Sequence, residues 1–148
     1  MKPIKVVVQG ALGKVGQEVI NALCHEPDIQ VVGAVTLNAS QDYLSFPDGS
    51  GKVPLSDNLD DILISCQPDV LVDFTIAQAT MSAVPIAAKH GVNLVIGTTG
   101  FTADDLSEMK RLSLAHKVGI VVAPNFALVA VLMMHLAKIA AKYLDYAE

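Results

Sequence analysis

Three glycines recur every third residue at Gly10, Gly13 and Gly16, directly after the apolar run Val6-Val7-Val8-Gln9. An amphipathic pattern follows at once and puts Val15, Val19, Ala22 and Leu23 on one helical face. A strand that ends in a glycine turn and feeds a helix is what a pyrophosphate needs. Glycines let the backbone approach the phosphates, and the helix N-terminus supplies unpaired N–H groups and partial positive charge. The segment therefore points to nucleotide binding; a bare glycine-rich turn is the bland alternative. Lys14 lies inside the turn, either meeting a phosphate or standing as a solvated lysine in a first helical turn.

Four more clusters follow apolar runs. Val35-Thr36-Leu37-Asn38 falls where an acidic residue usually accepts hydrogen bonds from ribose hydroxyls. Neither carboxylate nor arginine is present there. Thr36 and Asn38 are left as weak partners for a ribose or a 2′-phosphate, so the residues do not choose between NADH and NADPH. Asp73 closes a buried run and must find a partner. A structural role as cap of the following helix is preferred over a role in shaping the pocket. Gly97-Thr98-Thr99-Gly100 offers backbone and hydroxyl donors suited to a nicotinamide carboxamide or its ribose, or else is a simple turn. Ala123-Pro124-Asn125-Phe126 sets an amide and a ring where they frame a flat heterocycle, or else Phe126 packs in the core.

The elements that must position these clusters alternate along the chain. Strands are expected over 4–9, 31–36, 70–74, 92–96 and 118–122. Helices are expected over 14–25, 59–65, 77–90, 102–115 and 126–144, the fourth opened by a capping box at Thr102 to Asp105. Pro85 should kink its helix or mark where that helix truly begins. Residues 37–57 are rich in Asn, Ser, Asp, Gly and Pro and read as one long loop. The alternation predicts an α/β fold, a Rossmann-like doubly wound parallel sheet forming a single dinucleotide-binding domain over residues 1–148. Ligands of such sheets bind at the carboxyl ends of the strands, where all five clusters fall.

Of the 148 residues, 52% are hydrophobic and 17% charged, so a core of Val, Ile, Leu and Ala is readily built. A net charge of −5 without a basic stripe argues against a nucleic-acid binder. The apolar stretch from Val118 to Met134 is interrupted by Pro124-Asn125, which favours strand, turn and helix over a membrane span. Cys24 and Cys66 have no metal-ligand spacing and form no disulfide framework. With Met1-Lys2-Pro3 leading straight into a strand, a reducing cytoplasmic setting is expected. His25 and His90 end helices, His116 is expected in a loop and His135 in the last helix; they form no catalytic set. No catalytic residue and no metal ligand is assigned.

In their order and spacing, the Gly10–Gly16 turn, Asp73-Phe74-Thr75, Gly97-Thr98-Thr99-Gly100 and Ala123-Pro124-Asn125-Phe126 resemble the N-terminal domain of the 4-hydroxy-tetrahydrodipicolinate (dihydrodipicolinate) reductase family. The resemblance runs along essentially the whole chain, most loosely over 37–57. It implies an NAD(P)H-dependent step of the diaminopimelate branch of lysine biosynthesis, with hydride passing to a cyclic imine-type dicarboxylate. It implies that Gly10, Ala11, Leu12, Gly13, Lys14 and Val15 hold the pyrophosphate. Gly97, Thr98 and Thr99 would line the nicotinamide and its ribose, and Ala123, Pro124, Asn125 and Phe126 would close the pocket. Val15 stands where methionine is common in the family, a mild change, and Val129 stands where glycine is usual; the branched side chain at 129 implies weaker cofactor binding. The family's catalytic residues belong to a substrate domain that follows this segment, so the 148 residues alone are expected to bind cofactor without turnover. Apolar surface left uncovered is expected to drive homo-oligomerisation through the helix from Phe126 to Leu144. A non-catalytic nucleotide-binding or interaction module and the cofactor domain of another amino-acid or semialdehyde dehydrogenase are the alternatives to this reading.

Overall fold

The computed structural model describes residues 2–144. One seven-stranded sheet organises them, in the order β3-β4-β2-β1-β5-β6-β7. The strands are β1 (Ile4–Gln9), β2 (Ile29–Val35), β3 (Tyr43–Ser45), β4 (Lys52–Ser56), β5 (Val70–Asp73), β6 (Asn93–Ile96) and β7 (Ile120–Val122). All neighbours pair in parallel except β3, which runs antiparallel to β4 at one edge. The helices are α1 (Lys14–Cys24), α2 (Leu59–Cys66), α3 (Ala77–Lys89), α4 (Ala103–His116) and α5 (Leu128–Leu144). The doubly wound α/β expectation holds, with each expected element within about two residues of its observed bounds.

The sheet carries two cores, one on each face. Val7, Leu71, Leu94 and Ile96 meet Ile62, Val84, Ala87, Met109 and Leu112 under α2, α3 and α4. Val6, Val8, Val31, Ala34 and Val72 meet Ile20 and the half-buried Val19 and Leu23 under α1. β1 is the axis of both, with Val7 and Val8 fully buried on opposite faces. This is why it reads as an unbroken run of valines rather than an alternation.

Several expectations are corrected. The supposed loop over 37–57 contains β3 and β4, so the sheet has two more strands than the periodicity showed. Their interior consists of only two buried side chains, Val53 and Leu55, separated by the exposed Pro54, and turn residues mask so short a period. On α1 the buried positions are Gly16 and Ile20, whereas Val15 is 53% exposed and Ala22 is also exposed. The glycine turn rotates the helix so that Gly16, not Val15, faces the sheet. α3 begins at Ala77, so Pro85 marks no start; it sits exposed inside the helix. His116 is the last residue of α4 rather than a loop residue. The capping box of α4 is present: Thr102 Oγ1 accepts from Asp105 N at 3.1 Å and Asp105 Oδ2 accepts from Thr102 N at 2.8 Å.

Candidate dinucleotide site

The glycine turn forms because each of its glycines meets backbone. Gly10 has φ +81°, a left-handed conformation that side chains resist. A Cβ on Gly10 would also stand 2.9 Å from Phe74 O. A Cβ on Gly16 would collide with the Gly10 carbonyl. Gly13 N donates to Gly10 O at 2.9 Å, which closes the turn.

Hydrogen bonding then divides the turn's donors into two groups. Gly10 N and Ala11 N both donate to Val35 O, at 2.9 and 3.1 Å, so they fasten β1 to β2. Ala11 is also wholly buried. The amides of Leu12, Lys14, Val15 and Gly16 have no backbone or side-chain acceptor among the described residues. Gly13 caps α1 without a side-chain hydrogen bond, and the first turn carries no acidic residue. An uncapped helix start with free amides, no carboxylate and Lys14 beside it is built for an anion. The residues present therefore fit a pyrophosphate. The amides of the expected Gly10 and Ala11 are already taken by Val35 O, so these two can offer shape but not donors, while Gly16 has a free amide.

The other strand ends lie along the same edge. Thr36 is half-buried, and its N–H donates to Ser56 O at 3.0 Å, which brings the end of β4 beside that of β2. Leu37 is 86% exposed. Gly97 N donates to Asp73 O at 2.9 Å and Ala123 N to Ile96 O at 3.0 Å, so each loop hangs on its neighbour. Thr98 is buried, Thr99 exposed. Asn125 Oδ1 accepts from Ala127 N at 2.9 Å and turns the chain into α5. Pro124 and Phe126 are exposed, and Phe126 packs its ring 5.6 Å from that of Phe74. Val129 lies on the first turn of α5 and is 70% exposed.

Asp73 does not cap α3 as expected; the N-cap is Ile76, which offers no side-chain bond. Asp73 Oδ1 instead accepts from Thr75 N at 2.9 Å and Thr75 Oγ1 at 2.6 Å. Burial pushes its carboxyl above the ordinary carboxylate range, while the hydroxyls of Thr75, Thr80 and Thr98 and the Thr75 amide pull it back. The sequence marks Phe74 and Thr75 only as part of the Asp-Phe-Thr motif, and Gly16 only as the last glycine of the turn, with no role for any of the three. Phe74 had one signal, its place directly after a strand-closing Asp. Its role needed the fold, because its ring fills the space that a Cβ on Gly97 would take. Two surface hollows, one beside Leu63, Gln67 and His90 and one beside Cys24, Phe46 and Val53, include none of these strand-end residues. The candidate site is an open edge.

The family model described as dihydrodipicolinate reductase, N-terminus, matches residues 4–126. A 4-hydroxy-tetrahydrodipicolinate reductase of Dehalococcoides mccartyi is 53% identical over 148 residues, covering 100% of this chain and 56% of the relative. One from Moorella thermoacetica is 42% identical over 147 residues, covering 98% of this chain and 55% of the relative. The chain thus spans about half the length of the curated relatives it matches. Among solved structures, a dipicolinate-bound dihydrodipicolinate reductase from Paenisporosarcina sp. TG-14 superposes with TM-score 0.78 at 35% identity, over 95% of this chain and 54% of that one. A Staphylococcus aureus homoserine dehydrogenase shares the fold alone, with TM-score 0.67 at 16% identity. With the glycine turn, the Asp-Phe-Thr loop and the strand-end threonines all at one sheet edge, and the family model matched across them, the chain belongs to the dihydrodipicolinate reductase family and carries its N-terminal nucleotide-binding part.

Proposed function

We propose that this chain binds NADPH or NADH at the carboxyl edge of its sheet and presents it for reduction of a cyclic imine-type dicarboxylate in lysine biosynthesis. The observation that carries this is the set of unpartnered amides at Leu12, Lys14, Val15 and Gly16, over a turn in which Gly10 and Gly16 leave no room for a side chain. Gly10, Ala11, Leu12, Gly13, Lys14 and Val15 hold the pyrophosphate, with Gly10 and Ala11 shaping the cradle. Thr36 meets the adenosine ribose. Gly97, Thr98 and Thr99 line the nicotinamide end, and Ala123, Pro124, Asn125 and Phe126 border it. When bound, the nicotinamide supplies a hydride. Turnover also needs a substrate held within a few ångströms of it. Binding the cofactor is the part of that reaction proposed for the described residues. Calorimetry with NADPH and with NADH tests this: saturable binding of at least one is expected, and binding of neither overturns the reading.

The same reading extends to partners. Of the residues of α5, Leu128, Leu132, Met133, Met134, Leu136 and Tyr143 are each more than half exposed, and none of the helix is buried. Apolar area of this extent calls for a partner, and the 148-residue chain meets it by pairing with a second copy through α5. Sedimentation should show a concentration-dependent dimer that Leu132→Lys with Leu136→Lys disperses. A parent chain monomeric at every concentration overturns the pairing. The cytoplasm is the setting that suits Cys24 and Cys66, both unpaired. Neither a nucleic acid nor a membrane is needed as partner, and no described helix is long and apolar enough to cross a membrane.

A further inference from the structure

Two buried side-chain acceptors have no hydrogen-bond partner among the described residues: Gln9 Oε1 and Asp73 Oδ2. They stand at the carboxyl ends of β1 and β5, which are neighbouring strands, and Gln9 and Asp73 are direct register partners. Paired positions on parallel neighbours put both side chains on one face. Asp73 is fully buried and Gln9 7% exposed. Among the described residues the Asp73 carboxylate is hydrogen-bonded by Thr75 alone, and no cation is set against it. A buried carboxylate without a cation and with one oxygen orphaned weakens a fold. Stability alone gives no reason for an acid at this position.

What the carboxylate does is tie loops together. Its Oδ1 accepts both the amide and the hydroxyl of Thr75. The same Thr75 amide is shared with Thr98 Oγ1 at 3.0 Å. The hydroxyl also lies 3.4 Å from Thr80 Oγ1 on α3. Thr75 in turn presses its methyl where a Cβ on Gly10 would be, and Phe74 covers Gly97. One side chain thus fixes the loop after β5 against the glycine turn on one side and the threonine loop after β6 on the other.

We propose that Asp73 is a positioning residue for the dinucleotide, latching these three loops into one surface at a cost to the stability of the fold. The proposal rests on the dinucleotide reading above and adds to it which buried group sets the site's geometry. Charge-assisted hydrogen bonds are about twice as strong as neutral ones, so a neutral acceptor of the same shape would hold Thr75 less tightly. It would also put an N–H donor in place of the orphaned Asp73 oxygen.

The experiment is Asp73→Asn in the 148-residue chain, with NADPH and NADH calorimetry beside thermal unfolding. The dissociation constant should rise about tenfold while the melting temperature stays level or rises. Thr75→Val should weaken binding in the same direction, and Thr75→Ser, which keeps hydroxyl and amide, should restore it to near the parent value. Amide exchange without ligand should quicken at Thr75 in Asp73→Asn and stay unchanged in β1 and β5. An unchanged dissociation constant in both Asp73→Asn and Thr75→Val overturns the proposal. A loss of affinity matched by a fall in melting temperature also overturns it, since that marks a plain structural residue. A parent that binds neither dinucleotide overturns the dinucleotide reading itself, and the positioning role with it.

Discussion

The centre of the sheet and its β7 edge use the same kinds of residue in opposite ways. Around β1, valines are buried on both faces, with α1 over one and α2 and α3 over the other. Around β7, one face is covered and the other is bare. Ile120 and Val122 pack against the core beside α4, while Val121 between them is 55% exposed. The apolar α5 follows without burying a single residue. The nucleotide edge is thus set by contacts internal to the described residues, whereas β7 and α5 offer apolar surface for another body to use. Apolar sequence predicts burial; it does not say against what.

The sharpest way to break the contrast is at the glycine turn. Gly16→Val drives side-chain atoms into the Gly10 carbonyl, so it should cost about 3 kcal/mol and abolish dinucleotide binding. Binding that survives would show that the turn is not the cradle. Next comes a matched pair of truncations. Leu71 is fully buried at the centre of the sheet, and Leu71→Ala should destabilise by about 3 kcal/mol. Leu132 is 52% exposed on α5, and Leu132→Ala should stay within about 0.5 kcal/mol in dilute monomer. Urea midpoints measure both, and equal losses would show that α5 is packed after all.

The smallest effect is in pH. Asp73 is held above its ordinary value by burial, and the groups that act on it, Thr75, Thr80 and Thr98, carry no charge. The folded chain therefore binds its proton more tightly than the unfolded chain does. Between the ordinary carboxylate value and the raised one, stability falls as pH rises. Asp105 and Glu108, held low by Thr102 and Arg111, run the other way and lose their contribution as pH falls. Urea unfolding from about pH 4 to pH 7 should show a slope that flattens in Asp73→Asn. An identical slope in the variant would mean that Asp73 is ionised throughout the range.

Much of this was legible along the chain. Apolar runs bounded by turn residues located β1, β2, β5, β6 and β7, and the capping box located α4, because each signal is local. β3 and β4 were missed for the opposite reason: they exist as strands only because β2 offers its edge to β4, and no periodicity in 37–57 announces that pairing. Val15 was misassigned because a helical wheel gives relative faces, and the Gly16 approach to Gly10 sets the absolute one. Phe74 and Thr75 entered the site only when the parallel register of β1, β5 and β6 brought their loops against Gly10 and Gly97.

By itself, then, the sequence determined which residues could be backbone cradle, strand interior and helix start, since glycine freedom, β-branching and capping are properties of a few neighbouring residues. Tertiary structure decided which amides are left over. Gly10 and Ala11 spend theirs on Val35 and the first turn of α1 keeps its own, because a hydrogen bond between β1 and β2 depends on a partner 25 residues away that no local pattern contains.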